Sequence, residues 1–336
     1  MVHLRIVVPG HSADQAVALL KATHSAFNII YLPGAAQKPE GDVILADVAR
    51  EDASVVISDL RELEIDREGS IAIEEIDSQI SLASEEAEKA AAGMPSDAVV
   101  WEEVEARTSE NTELSASFLI FMMLSCLLAA VAIILDSVIL LVGAMVVGPE
   151  FGPIAALSVA LVQQRWDKVK HSLLPLAVGF PVAITAAYLF THGIEAIGLP
   201  PEDFSAAEHP NTQFISHPDG FSFIVAVLAG AAGVLSLTTA KSGALVGVLI
   251  SVATIPAAAN IAVAAAYGDG EEWVGAMEQL ALNLGAIVLT GVVTLFIQRK
   301  LYQRRRREHL HDEAREAAGL PVGRSRRDGE RDRTAR

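Results

Sequence analysis

Two hydrophobic periods divide this chain. Over residues 1–80, short runs rich in Ile and Val alternate with amphipathic stretches. HLRIVV from His3, FNIIYL from Phe27, DVILADV from Asp42 and SIAIEEI from Ser70 predict strands. SADQAVALLKATH has Ser12 as a cap and Ala16, Leu19 and Leu20 at helical spacing. EDASVVISDLREL opens on acids, which the positive end of a helix dipole favours, so both stretches predict helices. Pro33-Gly34 and Pro39-Glu40-Gly41 predict the turn between the second and third strands. The order βαββαβ predicts an α+β, ferredoxin-like domain. Residues 81–113 are acidic and rich in helix formers, which predicts a helical connector.

From residue 114 the pattern becomes continuously apolar. Crossing about 30 Å of hydrocarbon takes roughly 20 apolar residues. Six segments meet that length: 114–134, 138–162, 173–197, 221–239, 243–267 and 276–298. They predict an α-helical polytopic domain over 114–300, followed by a basic, partly disordered tail over 301–336. The second segment is unusual. It contains GAMVVGPEFGPI, residues 143–154, with three glycines and two prolines around one carboxylate, Glu150. Proline removes a backbone donor and clashes with the preceding turn, so a broken helix is expected there. Broken backbone at membrane depth is tolerated where protein buries it or where it lines a water-filled cavity.

Charge changes the picture by setting orientation. The net charge of −17 is split as −15 over residues 1–113, −8 over 114–297 and +6 over 298–336. Basic residues in short loops stay on the cytoplasmic side. Arg165, Lys168 and Lys170 follow the second segment, Lys241 the fourth, and Arg304 to Arg307 the sixth. The other loops carry acids and no Lys or Arg. The expectation is an inner (cytoplasmic) membrane protein with both termini in the cytoplasm. No basic and then apolar leader follows Met1, so no signal peptide is expected.

Six segments divide into two threes, which predicts a 3+3 inverted repeat with the second and fifth as broken helices. Gly143-Ala144 and Gly243-Ala244 stand in matching places, followed by Pro149 and Pro153 in one half and Pro256 in the other. At 1.5 Å per residue, Glu150 lies about 18 Å and Pro256 about 20 Å into their segments. Both breaks are therefore expected near the midplane. An ionised carboxylate there costs ~2.5 kcal/mol or more, and no segment contains a Lys or Arg to pair with it. A proton, a cation, water or unwound backbone must satisfy it. The candidate ion- or solute-binding set is Gly148, Pro149, Glu150, Gly152, Pro153, Pro256, Asn260 and Asn283, with Thr254 and Ser251 as weaker members. Each has a structural alternative: Gly148 and Gly152 form a small-xxx-small packing pair, and Asn283 can act as interhelical glue.

Several classes are set aside. There is no HExxH, no Gly-x-Ser-x-Gly elbow and no Walker loop, so catalysis is not expected. Neither a metal site nor a cofactor is expected. The lone Cys126 excludes an internal disulfide. Arg304–Arg307 is read as an orientation signal that also attracts anionic lipid, and the acidic head argues against nucleic acid. A homo-oligomer is expected because such heads often self-associate.

The run DSVILLVGAMVVGPEFGPIAAL resembles the signature of a bacterial and archaeal membrane family known as domain of unknown function three-eight-nine. The match rests on Gly143, Ala144, Met145, Pro149, Gly152, Pro153 and Ile154, with Pro256 and Asn283 at further family-like positions. The resemblance covers roughly 110–300 and implies a membrane body preceded by a variable soluble domain. Glu150, where the family usually has an apolar residue, and the single Pro256 depart from that pattern. The family name implies no activity. Two functions stay open: a transporter or channel-like protein for a small ion or solute, and a non-transporting scaffold or sensor with a ligand-binding head.

Overall fold

The computed structural model describes residues 1–76, 79–91, 99–110, 112–200, 211–212, 215–239 and 253–325, without the side chains of 107, 109 and 110. The chain divides into two compact units. One holds Met1–Val104, Thr238–Ala240 and Gln298–Arg336, the other Glu105–Leu237 and Lys241–Ile297.

In the first unit, four strands, β1 (Val2–Val8), β2 (Ala26–Gln37), β3 (Glu40–Val48) and β4 (Ser70–Glu75), form an antiparallel sheet in the order β2-β3-β1-β4. Strand alternation buries Val2, Leu4, Ile6 and Val8 of β1 on one face. Leu4 stands opposite Ala46 and Ile6 opposite Ile44, so β3 continues the same apolar face. Helices α1 (Gly10–Ala22) and α2 (Arg50–Glu62) contribute Ala16, Leu19, Leu20, Val56, Ile57 and Leu60 to this core. A one-turn helix, α3 (Ile65–Glu68), leads into β4. The element order is the βαββαβ expected from the sequence, with α3 added.

Two local expectations are corrected. Pro9, not Ser12, occupies the N-cap of α1, and Ser12 is buried inside the helix. Pro33-Gly34 is not the turn. β2 runs on to Gln37, and the extra residues are absorbed by an irregular register between Leu32 and Ala36. Gly34 takes φ +63°, which glycine adopts without a Cβ penalty, and its amide donates to Asp42.

The connector forms α4 (Leu82–Ala90) and α5 (Trp101–Glu110). The described part of the basic tail is integrated into the head. Ala314, Ala318 and Leu320 join the apolar core, the first from a short helix, Glu313–Ala317. Arg315, with no exposed surface, donates to Asp59 and, at 2.9 Å, to Glu62. Arg306 reaches Asp59 at 2.6 Å and Glu62 at 2.9 Å, and His309 meets Asp59 at 2.9 Å. Burial would push the Asp59 carboxyl up, but His309, Arg306 and Arg315 hold it below the usual carboxylate range. Most of the Arg304–Arg307 run thus has intramolecular work: Arg305 pairs with Asp52, and Arg304 with Glu308 one turn along.

In the second unit, α6 (Ala116–Ile134) is capped by the Ser115 hydroxyl, which accepts from Phe118 N. The turn at Asp136 passes directly into α7 (Val138–Val147), and α8 (Phe151–Gln163) follows after a break. Then come α9 (Trp166–Ala196), α10 (Gly220–Thr238), α11 (Thr254–Tyr267) and α12 (Gly270–His309), the last continuing into the first unit. α6, α9, α10 and α12 are long and apolar enough to cross a membrane, and α7 with α8 makes a bent fifth candidate. The six expected spans are not all present as spanning helices among the described residues. α11 has 14 residues, about 21 Å, and is too short by itself. The preceding residues, including Gly243, Ala244 and Ser251, lie outside the described ones. Small residues allow close helix approach: a Cβ at Gly179 of α9 would stand 2.9 Å from Phe118, and one at Gly230 of α10 would stand 3.0 Å from the Ile287 backbone of α12. Ile139, Leu189, Phe221 and Leu228 are exposed, as lipid contact requires.

Candidate functional site

The axis of α7 and α8 turns by 53° across Gly148, Pro149 and Glu150. Gly148 leaves the helix with extended backbone, φ −65° and ψ 128°. Pro149 has no N–H to continue the ladder, and Glu150 starts the next helix as its N-cap residue. Pro153 falls in the first turn of α8, where its missing donor would have had no helical partner. The first backbone bond of α8 runs from Ile154 N to Glu150 O at 3.2 Å.

Glu150 is 4% exposed. Its Oε1 accepts from the Thr254 hydroxyl at 2.7 Å, a bond that spans 104 residues and ties the break to the start of α11. Its Oε2 is buried without a hydrogen-bond partner. α7, α8 and α11 contain no Lys or Arg. A buried carboxyl with one satisfied oxygen and, among the described residues, no cation beside it is costly, and a bound proton or cation relieves that cost. Gly148 is required by this arrangement: a Cβ would lie 2.3 Å from Glu150 Oε2 and 2.8 Å from Ile255 Cγ1.

α11 repeats the design of α8. Pro256, like Pro153, is the third residue of its helix. Both helices end on a left-handed residue, Gln164 at φ 58° and Gly268 at φ 72°. At each end two backbone N–H groups close onto the last turn, Gln164 and Arg165 onto Leu161 and Ala160, Gly268 and Asp269 onto Ala265 and Ala264. The next helix begins two residues later in each case.

The structure therefore assembles Gly148, Pro149, Glu150, Gly152 and Pro153 at one break and sets Thr254 and Ile255 against it, with Pro256 the next residue of α11. The two asparagines are held elsewhere. Asn260 Nδ2 donates to Glu272 Oε2 at 3.4 Å. Asn283 Oδ1 accepts from Gln279 Nε2 at 3.2 Å, which leaves Asn283 Nδ2 and Gln279 Oε1 buried without partners. Sequence reasoning missed Gln279, although its i,i+4 spacing to Asn283 on one helix was the available signal. Thr254, a weaker candidate from sequence because a lone hydroxyl in an apolar segment carries no pattern, is the residue that bonds Glu150.

Residues 145–289 match the family model described as Domain of unknown function (DUF389), the family that the glycine-proline run resembles. An uncharacterized protein of Methanocaldococcus jannaschii is 26% identical over 195 residues, 58% of this chain and 58% of that protein's own length. No solved structure matches the chain.

Proposed function

We propose that this chain, which carries the DUF389 domain over residues 145–289, is a non-enzymatic secondary transporter or channel-like membrane protein for a small ion or solute. The observation that carries this reading is Glu150, a buried carboxyl at a helix break with one unbonded oxygen and, among the described residues, no basic partner. Such a group at membrane depth is expensive to keep, and transport pathways are where it is kept. The Glu150–Thr254 bond supports a site shared by two half-helices.

The six-span, 3+3 inverted arrangement belongs to the same proposal. It is supported by the matched prolines and matched caps of α8 and α11. A parity argument adds to it. Residues of the head and of the tail fall in one unit, which supports an even number of spans. With up to five candidates by length, α11 supplies part of a sixth span in this reading. The basic loops favour the cytoplasm for that side, and a homo-oligomer remains part of the reading.

A non-transporting scaffold or sensor is the second reading, favoured by the tight packing at Gly148, Gly179 and Gly230. Reconstitution in liposomes separates the two. A pH or sodium gradient is imposed over a panel of small ions and organic anions, comparing wild type with Glu150→Gln. Transport predicts flux in the wild type and its loss in the variant. No flux under any gradient favours the scaffold.

A further inference from the structure

Beside the broken span lies a cavity of about 280 Å³, just below the usual range for ligand pockets. It is lined by Gln163 near the end of α8, by Asp167, Lys168, His171 and Ser172 in the first turns of α9, and by Glu105 and Thr108 of α5. Its floor is mixed: Ala156, Val159 and Ala160 of α8 are apolar, while the buried Ser172 and Thr108 hydroxyls donate to Lys168 O at 2.9 Å and Glu105 O at 3.2 Å. The positive end of α9, 31 residues long, opens into this cluster. One atom organises the cationic side: Glu105 Oε1 accepts from Lys168 Nζ at 2.6 Å and also from Arg165 Nη1. The carboxylate of the chain's own connector therefore occupies a two-cation clamp. Trp166, 67% exposed between the two cations in sequence, is the side chain expected at a membrane–water boundary.

We propose that this cavity is a binding site for a phosphate group, with Lys168 and Arg165, which share Glu105, as the clamp, His171 as a further donor, and Glu105 as an internal competitor that the ligand displaces. Guanidinium and ammonium groups on a dianion make charge-assisted hydrogen bonds about twice as strong as neutral ones. Basic pockets between membrane helices on the cytoplasmic side hold anionic headgroups by this chemistry. The ligand is either the headgroup of an anionic phospholipid or a soluble phosphate. This site is separate from Glu150 and does not depend on transport. It also moves the expected lipid contact away from Arg304–Arg307, whose members Arg305 and Arg306 are engaged by acids of the head.

The test uses the full chain in a phosphate-free maltoside detergent, following its thermal unfolding while short-chain phosphatidic acid or inorganic phosphate is titrated. A saturable rise in Tm is expected. Loss of one charge-assisted bond in Lys168→Gln weakens apparent affinity roughly tenfold or more. Lys168→Arg retains most of it, and Glu105→Gln strengthens it, because the competitor no longer carries charge. Saturation by inorganic phosphate at similar concentration identifies a soluble ligand, and saturation by the lipid alone identifies a headgroup. The proposal is overturned if neither ligand gives a saturable shift, or if the shift survives unchanged in both Lys168→Gln and Arg165→Gln. Tm without ligand, recorded for each variant, separates lost binding from lost folding.

Discussion

The two units bury carboxylates in opposite ways. In the head, Asp59 and Glu62 are sealed from solvent but meet Arg306, His309 and Arg315, all brought by the tail. In the membrane unit, Glu150 is equally buried and meets one hydroxyl. A compensated cluster holds a fold together, because removing any member strands the rest. An uncompensated carboxyl contributes no such support, so stability alone does not account for it. The contrast separates structural charge from candidate functional charge within one chain.

The largest effect expected from breaking this contrast is in the head. Arg315→Met leaves Asp59 and Glu62 with one fewer cation, and the head should lose about 3–5 kcal/mol, read from chemical denaturation of the full chain. Thr254→Val is next. It keeps the shape but strands Glu150 Oε1, costing about 1–3 kcal/mol. Gly148→Ala should cost a similar 1–3 kcal/mol by overpacking, since its Cβ has no room beside Glu150 and Ile255. It should also impair any flux, because the break cannot keep its geometry.

Acid sharpens the same comparison with no mutation. The folded pKa of Asp59 lies below its unfolded value near 3.9, so its contribution is complete above about pH 5. That contribution is lost as pH falls through the lowered folded pKa, because the unfolded chain then binds the proton that the folded one resists. Tail release, followed by protease sensitivity near Ala314 and Leu320, should appear on acidification below about pH 4 and not between pH 5 and 7.

Much of this was legible before any coordinates. β1 and β3 were readable because period-two alternation and β-branched residues agree over Val2–Val8 and Asp42–Val48. The break at Gly148–Glu150 was readable because proline and glycine act locally. The tail was not. A run of arginines after a span carries a topological signal, and the same residues served an ion cluster whose acids lie some 250 positions earlier. Only the apolar spacing of Ala314, Ala318 and Leu320 hinted at packing. Pro33-Gly34 misled because a register irregularity can absorb turn residues inside a long hairpin. Asn260 and Asn283 stood out as polar groups in apolar segments, but pairing with Glu272 and Gln279 is a tertiary fact that single-residue chemistry does not reveal.

The smallest expected change in stability carries the most information. Glu150→Gln removes the charge while keeping a group that can still accept from Thr254, so unfolding should shift by less than about 1 kcal/mol. The decisive measurement sets that near-silent stability against gradient-driven flux in liposomes, in the same preparations. The account predicts wild-type flux that Glu150→Gln abolishes while folding is retained. Flux unchanged in Glu150→Gln would contradict it, as would a variant that loses flux only because it has unfolded.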